Sequence, residues 1–160
     1  MFKRILVLGL IATSAITFLN VSAQSGPTPE QQAQSAVNAR KSVVRLFAFN
    51  MGTISGMARG TVEFDAAIAE RNARRIAALA PMLPETFAAM DTRSFDLETE
   101  ALPVIWERFS EFEEKAANLV DAANTFADIA ARGDRMETIG AVRALGGTCG
   151  NCHDTFRVDN

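Results

Sequence analysis

The sequence predicts an all-α protein folded as an antiparallel four-helix bundle. Apolar residues recur at helical spacing, and no alternation of apolar and polar residues persists long enough for a strand. One segment repeats its apolar residues at alternating intervals of four and three, which is typical of helices that pack side by side. Two of the three expected connections are short, and short connections join antiparallel neighbours.

Capping residues and prolines delimit the first two helices. The run Thr28-Pro29-Glu30 is a start signal, because a hydroxyl caps the helix and proline fits its first position. We expect the first helix over residues 29–55 and the second over residues 65–80, ended by Pro81 and Pro84. The inner face of the first helix is marked by Ala33, Val37, Val44 and Met51. The apolar anchors of the second are Ile68, Ile76 and Leu79.

The third helix carries the clearest apolar repeat. Residues 85–102 predict an irregular acidic connection before it. Pro103 opens the helix and Gly133 closes it. The inward positions are Ile105, Phe109, Phe112, Ala116, Leu119, Ala123, Phe126 and Ala130. This repeat is the core seam of the expected bundle.

A capping box opens the fourth helix. Asp134 is followed three residues later by Glu137, which resembles the box with Asp in place of Ser or Thr. The inward residues are expected to be Met136, Ile139, Val142 and Leu145. The pair Gly146-Gly147 is expected to interrupt this helix, either as a simple break or to allow a close approach of the backbone to a neighbouring group.

The stretch Cys149-Gly150-Asn151-Cys152-His153 has the C-x-x-C-H spacing that attaches a c-type haem. It contains the chain's only two cysteines and its only histidine. Positions i, i+3 and i+4 share one face of a helix, so two thiols can bond one porphyrin edge while the imidazole lies beneath the iron. The sequence therefore predicts one covalent haem c, held by Cys149 and Cys152, with His153 as the metal ligand.

Three other interpretations of this motif fit less well. A structural zinc site requires four ligands, and only three are present unless Asp154 joins them. A redox-active C-x-x-C is typical of a helix start in a βαβ setting, and the chain has no such pattern. A plain disulfide would leave the adjacent His153 unexplained.

The first residues predict a secretory signal peptide over residues 1–23. Lys3 and Arg4 are followed by an apolar run and then by small residues at 21–23, where cleavage is expected. The alternative is an uncleaved anchor, but the run is too short for a good membrane span. Residues 24–160 are then one mature domain, exported to the periplasm.

Charge argues against a nucleic-acid partner. Loss of Lys3 and Arg4 on cleavage changes the formal net charge from −3 to −5. An acidic chain without a basic stripe or an aromatic platform does not fit nucleic-acid binding.

Several segments resemble the class II c-type cytochromes, the cytochrome c′ family. The ending C-G-N-C-H-D-T-F-R over residues 149–157 is similar to the family's C-x-x-C-H-x-x-[FY]-R. The opening of the third helix, residues 103–106, resembles Pro-x-x-Trp, and residues 36–42 resemble the first-helix signature. Arg59-Gly60 followed by Phe64-Asp65 resembles the join between the first two helices. The resemblance covers the whole mature chain.

The resemblance implies a residue over the distal face of the haem. Counting without gaps from either signature, that position is Val44. Valine has no lone pair for iron, so the resemblance implies a five-coordinate, high-spin haem. Low-spin family members have a Met there, and Met51 and Met57 keep that alternative open. Met51 lies seven residues past Val44, which is about 10 Å along a helix.

The resemblance also implies roles for three charged residues. Arg157 would lie near the proximal face of the haem. Arg40, four residues before Val44, would reach the haem edge and pair with a propionate. Lys41 would do likewise.

The expected function is reversible binding of a small diatomic gas such as nitric oxide or carbon monoxide, with electron exchange at the iron. A low-spin, Met-ligated electron carrier is the alternative. A haem catalyst is a third hypothesis, and it lacks a distal histidine because His153 is already used. The sequence does not identify a redox partner protein, and the family implies a homodimer through the first helix.

Overall fold

The computed structural model describes residues 26–158, which form four long helices and two short ones. In chain order they are α1 Pro29–Arg59, α2 Ala66–Leu79, α3 Met82–Ala88, α4 Val104–Glu107, α5 Phe109–Ala130 and α6 Arg135–Phe156. The long helices α1, α2, α5 and α6 form the predicted antiparallel four-helix bundle. The predicted signal peptide lies outside the described residues. No helix within residues 26–158 is long and apolar enough to span a membrane.

The ends of α1 and α2 follow local capping chemistry. Thr28 caps α1, and its side chain forms a reciprocal capping box with Gln31. The helix continues past the expected end at residue 55 to Arg59, where Gly60 takes a φ of 72°. Asp65 caps α2 by accepting a hydrogen bond from the amide of Ile68 at 2.9 Å.

The prediction of an irregular chain over residues 85–102 was partly wrong, because α3 extends to Ala88. Pro81 follows the end of α2, but Pro84 lies within the first turn of α3 instead of ending α2. Proline is tolerated there, because the first amides of a helix have no partner inside it. Phe87, near the end of α3, is 5% exposed.

The predicted third helix is divided by one residue. Arg108 has φ −121° and ψ 44°, and it separates the single turn of α4 from α5. Seven of the eight predicted seam residues are buried, and Phe109 is half-buried. The helical repeat was therefore correct, but periodicity does not reveal a non-helical residue between two turns in the same register.

The expected break at Gly146-Gly147 was wrong, because α6 is continuous from Arg135 to Phe156. Packing against α5 and α1 overrides the low helix propensity of glycine. Met136, expected inward, is 80% exposed, because the buried residue of this turn is Thr138, which lies on the opposite side of the helix. Thr138 and Leu145 are the buried residues of this part of α6.

Buried side chains divide into two apolar clusters. The long-helix cluster joins α1, α2, α5 and α6 and includes Ile54, Met57, Ile76, Leu119, Phe126 and Leu145. The aromatic cluster joins α3, α4, α5 and the end of α6, and consists of Phe87, Ile105, Phe112 and Phe156. Phe112 contacts Phe87 and Phe156 edge-on, with ring centroids 5.0 and 5.3 Å apart.

We predict opposite effects for two glycine substitutions at α1. Gly60 has a left-handed backbone, so Gly60→Ala should lower the free energy of unfolding by about 1 kcal/mol. Gly52 is exposed within α1 and a Cβ there meets nothing within 4 Å, so Gly52→Ala should raise it by up to about 1 kcal/mol. Thermal unfolding of the holoprotein, followed by circular dichroism, measures both. A Gly60→Ala variant as stable as Gly52→Ala would contradict the assigned backbone conformation.

Candidate haem site

The three residues of the C-x-x-C-H motif lie on one face of the uninterrupted helix α6. Cys149, Cys152 and His153 are each half-buried, and both thiols are free. Cys149 packs against the long-helix cluster, and Cys152 packs against the aromatic cluster. An attached porphyrin edge would therefore lie where the two clusters meet.

Burial sets the protonation of these groups. It raises the pKa of the Cys149 thiol, and it raises the pKa of the Cys152 thiol to about 11, which nearby Lys115 only partly offsets. A redox-active C-x-x-C relies on a lowered thiol pKa, so this environment argues against that alternative. Among residues 26–158 the structure places no group of three or more His, Cys, Asp or Glu side chains where they could hold a metal ion.

The imidazole of His153 is kept neutral by its surroundings. Burial is the main cause of its lowered pKa, and the positive charge of Arg157 adds to the effect. Asp154 and Glu100 act in the opposite direction. A neutral imidazole is the form that binds a metal, so His153 suits an axial ligand.

Helix α1 lies opposite α6 at the level of Gly146. A Cβ added at Gly146 would lie 3.7 Å from the Cε of Met51. Seven residues are close to two helical turns and return to the same face. Because α1 and α6 are antiparallel, Val44 and His153 both lie about 10 Å beyond the Met51–Gly146 contact, in the same direction.

Val44 and His153 therefore lie at one level on facing helices. Val44 is 46% exposed, although its neighbour Val43 is buried. Met51 contacts the level of Gly146, and Met57 is buried further along in the long-helix cluster. Neither thioether shares the level of His153.

Arg40 is a charged residue near this level whose guanidinium is bound by several protein acceptors. It is 5% exposed, its Nε donates to the carbonyl of Thr86 at 3.1 Å, and its Nη1 donates to the hydroxyl of Thr92 at 2.8 Å. Its Nη2 donates to the carbonyl of Met90. Three of the five N–H groups of a guanidinium are thus bound by protein, and two are left for another acceptor.

The other two predicted charges are less constrained. Lys41 is half-buried on α1. Arg157 follows Phe156, the last residue of α6, and is the C-cap of the helix with an extended backbone. The amide of Arg157 donates to the carbonyl of His153, and Arg157 forms an antiparallel bridge with Ala101. Its charge still acts on the imidazole of His153.

Sequence reasoning missed the contacts around Arg40. Thr92 is buried and accepts its hydrogen bond, but an isolated threonine in an irregular segment gives no signal of such a role. The Pro-x-x-Trp motif indicated Trp106 but not its contact. The guanidinium carbon of Arg40 lies 5.3 Å from the centroid of that ring.

The residues present fit a covalent haem. Two free thiols and a neutral imidazole share one helical face, and an apolar cluster lies on each side of the attachment edge. A porphyrin is largely apolar, so joining the two clusters would complete the core.

Comparison with known proteins agrees with this site. A family model described as Cytochrome C′ matches residues 35–157. Cytochrome c-554 of Cereibacter sphaeroides is 32% identical over 148 residues, covering 92% of this chain and 96% of that protein. The solved cytochrome c′ of Shewanella frigidimarina is 31% identical with a TM-score of 0.70, covering 79% of this chain and 97% of that one.

Two further solved cytochromes c′ resemble this chain and carry informative descriptions. One, 27% identical with a TM-score of 0.68, is described by a ligand-controlled dimer dissociation. The other, a variant from Alcaligenes xylosoxidans with 25% identity and a TM-score of 0.66, is a nitric oxide complex. The chain belongs to the cytochrome c′ family, and its cofactor is haem c bound covalently through Cys149 and Cys152.

Proposed function

We propose that this protein is a periplasmic cytochrome c′ that reversibly binds a small diatomic gas such as nitric oxide or carbon monoxide. The observation that supports the proposal is the Met51–Gly146 contact, from which the helical rise puts Val44 and His153 at the same level of α1 and α6. Bound haem supplies an iron that accepts a diatomic ligand and changes oxidation state. The protein determines what can approach that iron.

His153 is the proposed sole protein ligand of the iron. It is the only histidine of the chain, so a second imidazole cannot come from the same chain. Val44 offers hydrocarbon and no lone pair, which leaves the sixth position open. A charged or strongly hydrated ligand would lose hydration against this wall without gaining a hydrogen bond, whereas a neutral diatomic loses little.

Charged side chains are proposed to hold the haem edge. Arg40 has two N–H groups that its protein acceptors leave free, and they can pair with a propionate. Lys41, the next residue, is half-buried on the same helix and can do likewise. Arg157 is proposed to lie on the proximal side, where it favours the neutral form of His153.

We propose gas binding and electron exchange rather than catalysis. Acid–base chemistry on a bound ligand would use a distal imidazole, and the sole histidine is used on the proximal side. The redox partner protein is not identified by any feature of the described residues.

Val44 variants test the distal assignment. The ferrous wild-type protein should show a five-coordinate, high-spin optical spectrum that changes on addition of carbon monoxide. Val44→Ala removes bulk from the ligand's path and should raise the association rate of carbon monoxide. Val44→Met brings a thioether to the same level and should give a low-spin spectrum without added ligand.

A second substitution controls for position along α1. Ala48 is exposed one turn further on, so Ala48→Met should leave the wild-type spectrum unchanged if Val44 is distal. A wild-type spectrum that is already low-spin would refute the proposal and support the Met-ligated electron carrier. An unchanged association rate in Val44→Ala, with no low-spin spectrum in Val44→Met, would place the distal wall elsewhere.

Export and covalent attachment are tested by the mass of the denatured protein. If residues 1–23 are a signal peptide, protein recovered from the periplasmic fraction should have the mass of residues 24–160 plus one haem. Replacing both Cys149 and Cys152 with Ser should remove the haem mass. A full-length chain in the membrane fraction would support the uncleaved anchor.

Exposed apolar residues on α1 support a homodimer. Phe49 is 69% exposed and Leu46 is 47% exposed, and they lie within one turn on the outer face. Phe49→Ser should shift the dimer towards monomer in sedimentation velocity. Met136→Ser, at an apolar residue of α6 that is 80% exposed, is the control and should leave the association state unchanged. A wild-type monomer at all concentrations would contradict the dimer.

A further inference from the structure

Side chains from two other helices donate hydrogen bonds to carbonyls at the C-terminus of α3. The last carbonyls of a helix have no partner within it. The Nε of Arg40, on α1, donates to the carbonyl of Thr86 at 3.1 Å. The Nε1 of Trp106, on α4, donates to the carbonyl of Phe87 at 3.3 Å. The end of α3 therefore depends on α1 and α4 for its hydrogen bonds.

The guanidinium of Arg40 is also packed between aromatic rings. Its central carbon lies 4.4 Å from the centroid of Phe87 and 5.3 Å from that of Trp106. Nη1 donates to Thr92 at 2.8 Å, and Nη2 donates to the carbonyl of Met90. We call Arg40 with Phe87, Thr92 and Trp106 the Arg40 clamp. It binds one point of α1 to the segment that follows α3.

A clamp of this kind is rigid because its charge is buried. Desolvation lowers the pKa of Arg40, and the negative charge of Asp91 partly offsets it. A guanidinium nevertheless remains charged in proteins, so it must keep its acceptors while it is buried. Any displacement of α1 at Arg40 would leave a buried charge with fewer hydrogen bonds, which is strongly unfavourable.

We propose that Arg40 is a positioning residue for the gas site, because its clamp fixes the distance of α1 from the haem helix at Val44. Val44 lies four residues after Arg40, one turn along the same helix and next to it on the same face. Rigid attachment at Arg40 therefore limits how far the Val44 wall can yield to an entering ligand. The inference rests on the proposed function, which makes Val44 the distal wall.

A substitution at Thr92 distinguishes the positioning role of Arg40 from its pairing with a propionate. Thr92→Val keeps the shape of the side chain, removes the acceptor of Nη1 and leaves the Arg40 charge in place. Loosening of the clamp should raise the association rate of carbon monoxide severalfold, with a wild-type five-coordinate spectrum and full haem content. Thr92→Ser restores a hydroxyl and should return the rate close to the wild-type value.

Amide hydrogen exchange supplies a readout that does not depend on gas binding. In Thr92→Val, amides of residues 40–48 should exchange faster than in wild type, while amides of α2 and α5 should keep their rates. Wild-type exchange in α1 together with a wild-type association rate would overturn the clamp. If Arg40→Lys alters the rate but Thr92→Val does not, Arg40 acts through the propionate and the clamp is refuted. A low-spin wild-type protein would refute the gas site, while the exchange result would still decide the clamp.

Discussion

The structure depends on one geometric constraint, the unbroken helix α6. Only a continuous helix keeps Cys149, Cys152 and His153 on one face, with the thiols close enough to bond one porphyrin edge. The same continuity brings one cysteine against each apolar cluster. A haem bound through both cysteines would therefore contact both clusters.

Helix α6 is continuous although its local sequence disfavours a helix. The helix contains four glycines, each costing about 1 kcal/mol relative to alanine in a helix interior. The cost is offset by the Asp134 cap, whose carboxylate accepts from the amide of Glu137 at 2.9 Å, and by packing against α5. Gly146 faces Met51 of α1, and a Cβ added there would lie 3.7 Å from the Met51 Cε, an ordinary contact distance. The glycine therefore marks where α1 and α6 meet, although the contact itself would admit alanine.

The sequence correctly predicted the features that depend on local chemistry or on local periodicity. The spacing of the motif identified the cofactor and both attachment residues, and the apolar repeat identified the seam of α5 apart from the half-buried Phe109. It failed where tertiary contacts decide. The single turn of α4, the continuation of α6 through Gly146 and the exposure of Met136 all depend on which neighbour a residue meets. Periodicity also cannot show that Arg40 donates a hydrogen bond to Thr92, because 52 residues separate them in the chain.

Arg40 illustrates how a buried charge can fix the position of one helix against its neighbour. An apolar contact between α1 and α3 would tolerate sliding, because dispersion has little directional preference. Hydrogen bonds to three acceptors and stacking on two rings have directional geometry, so α1 has one favourable position. The neighbouring Val44 is 46% exposed and makes no comparable contact. The proposed distal wall at Val44 is consequently held by Arg40, one helical turn away. The bulk of Val44 can therefore be changed without altering the contacts that position α1.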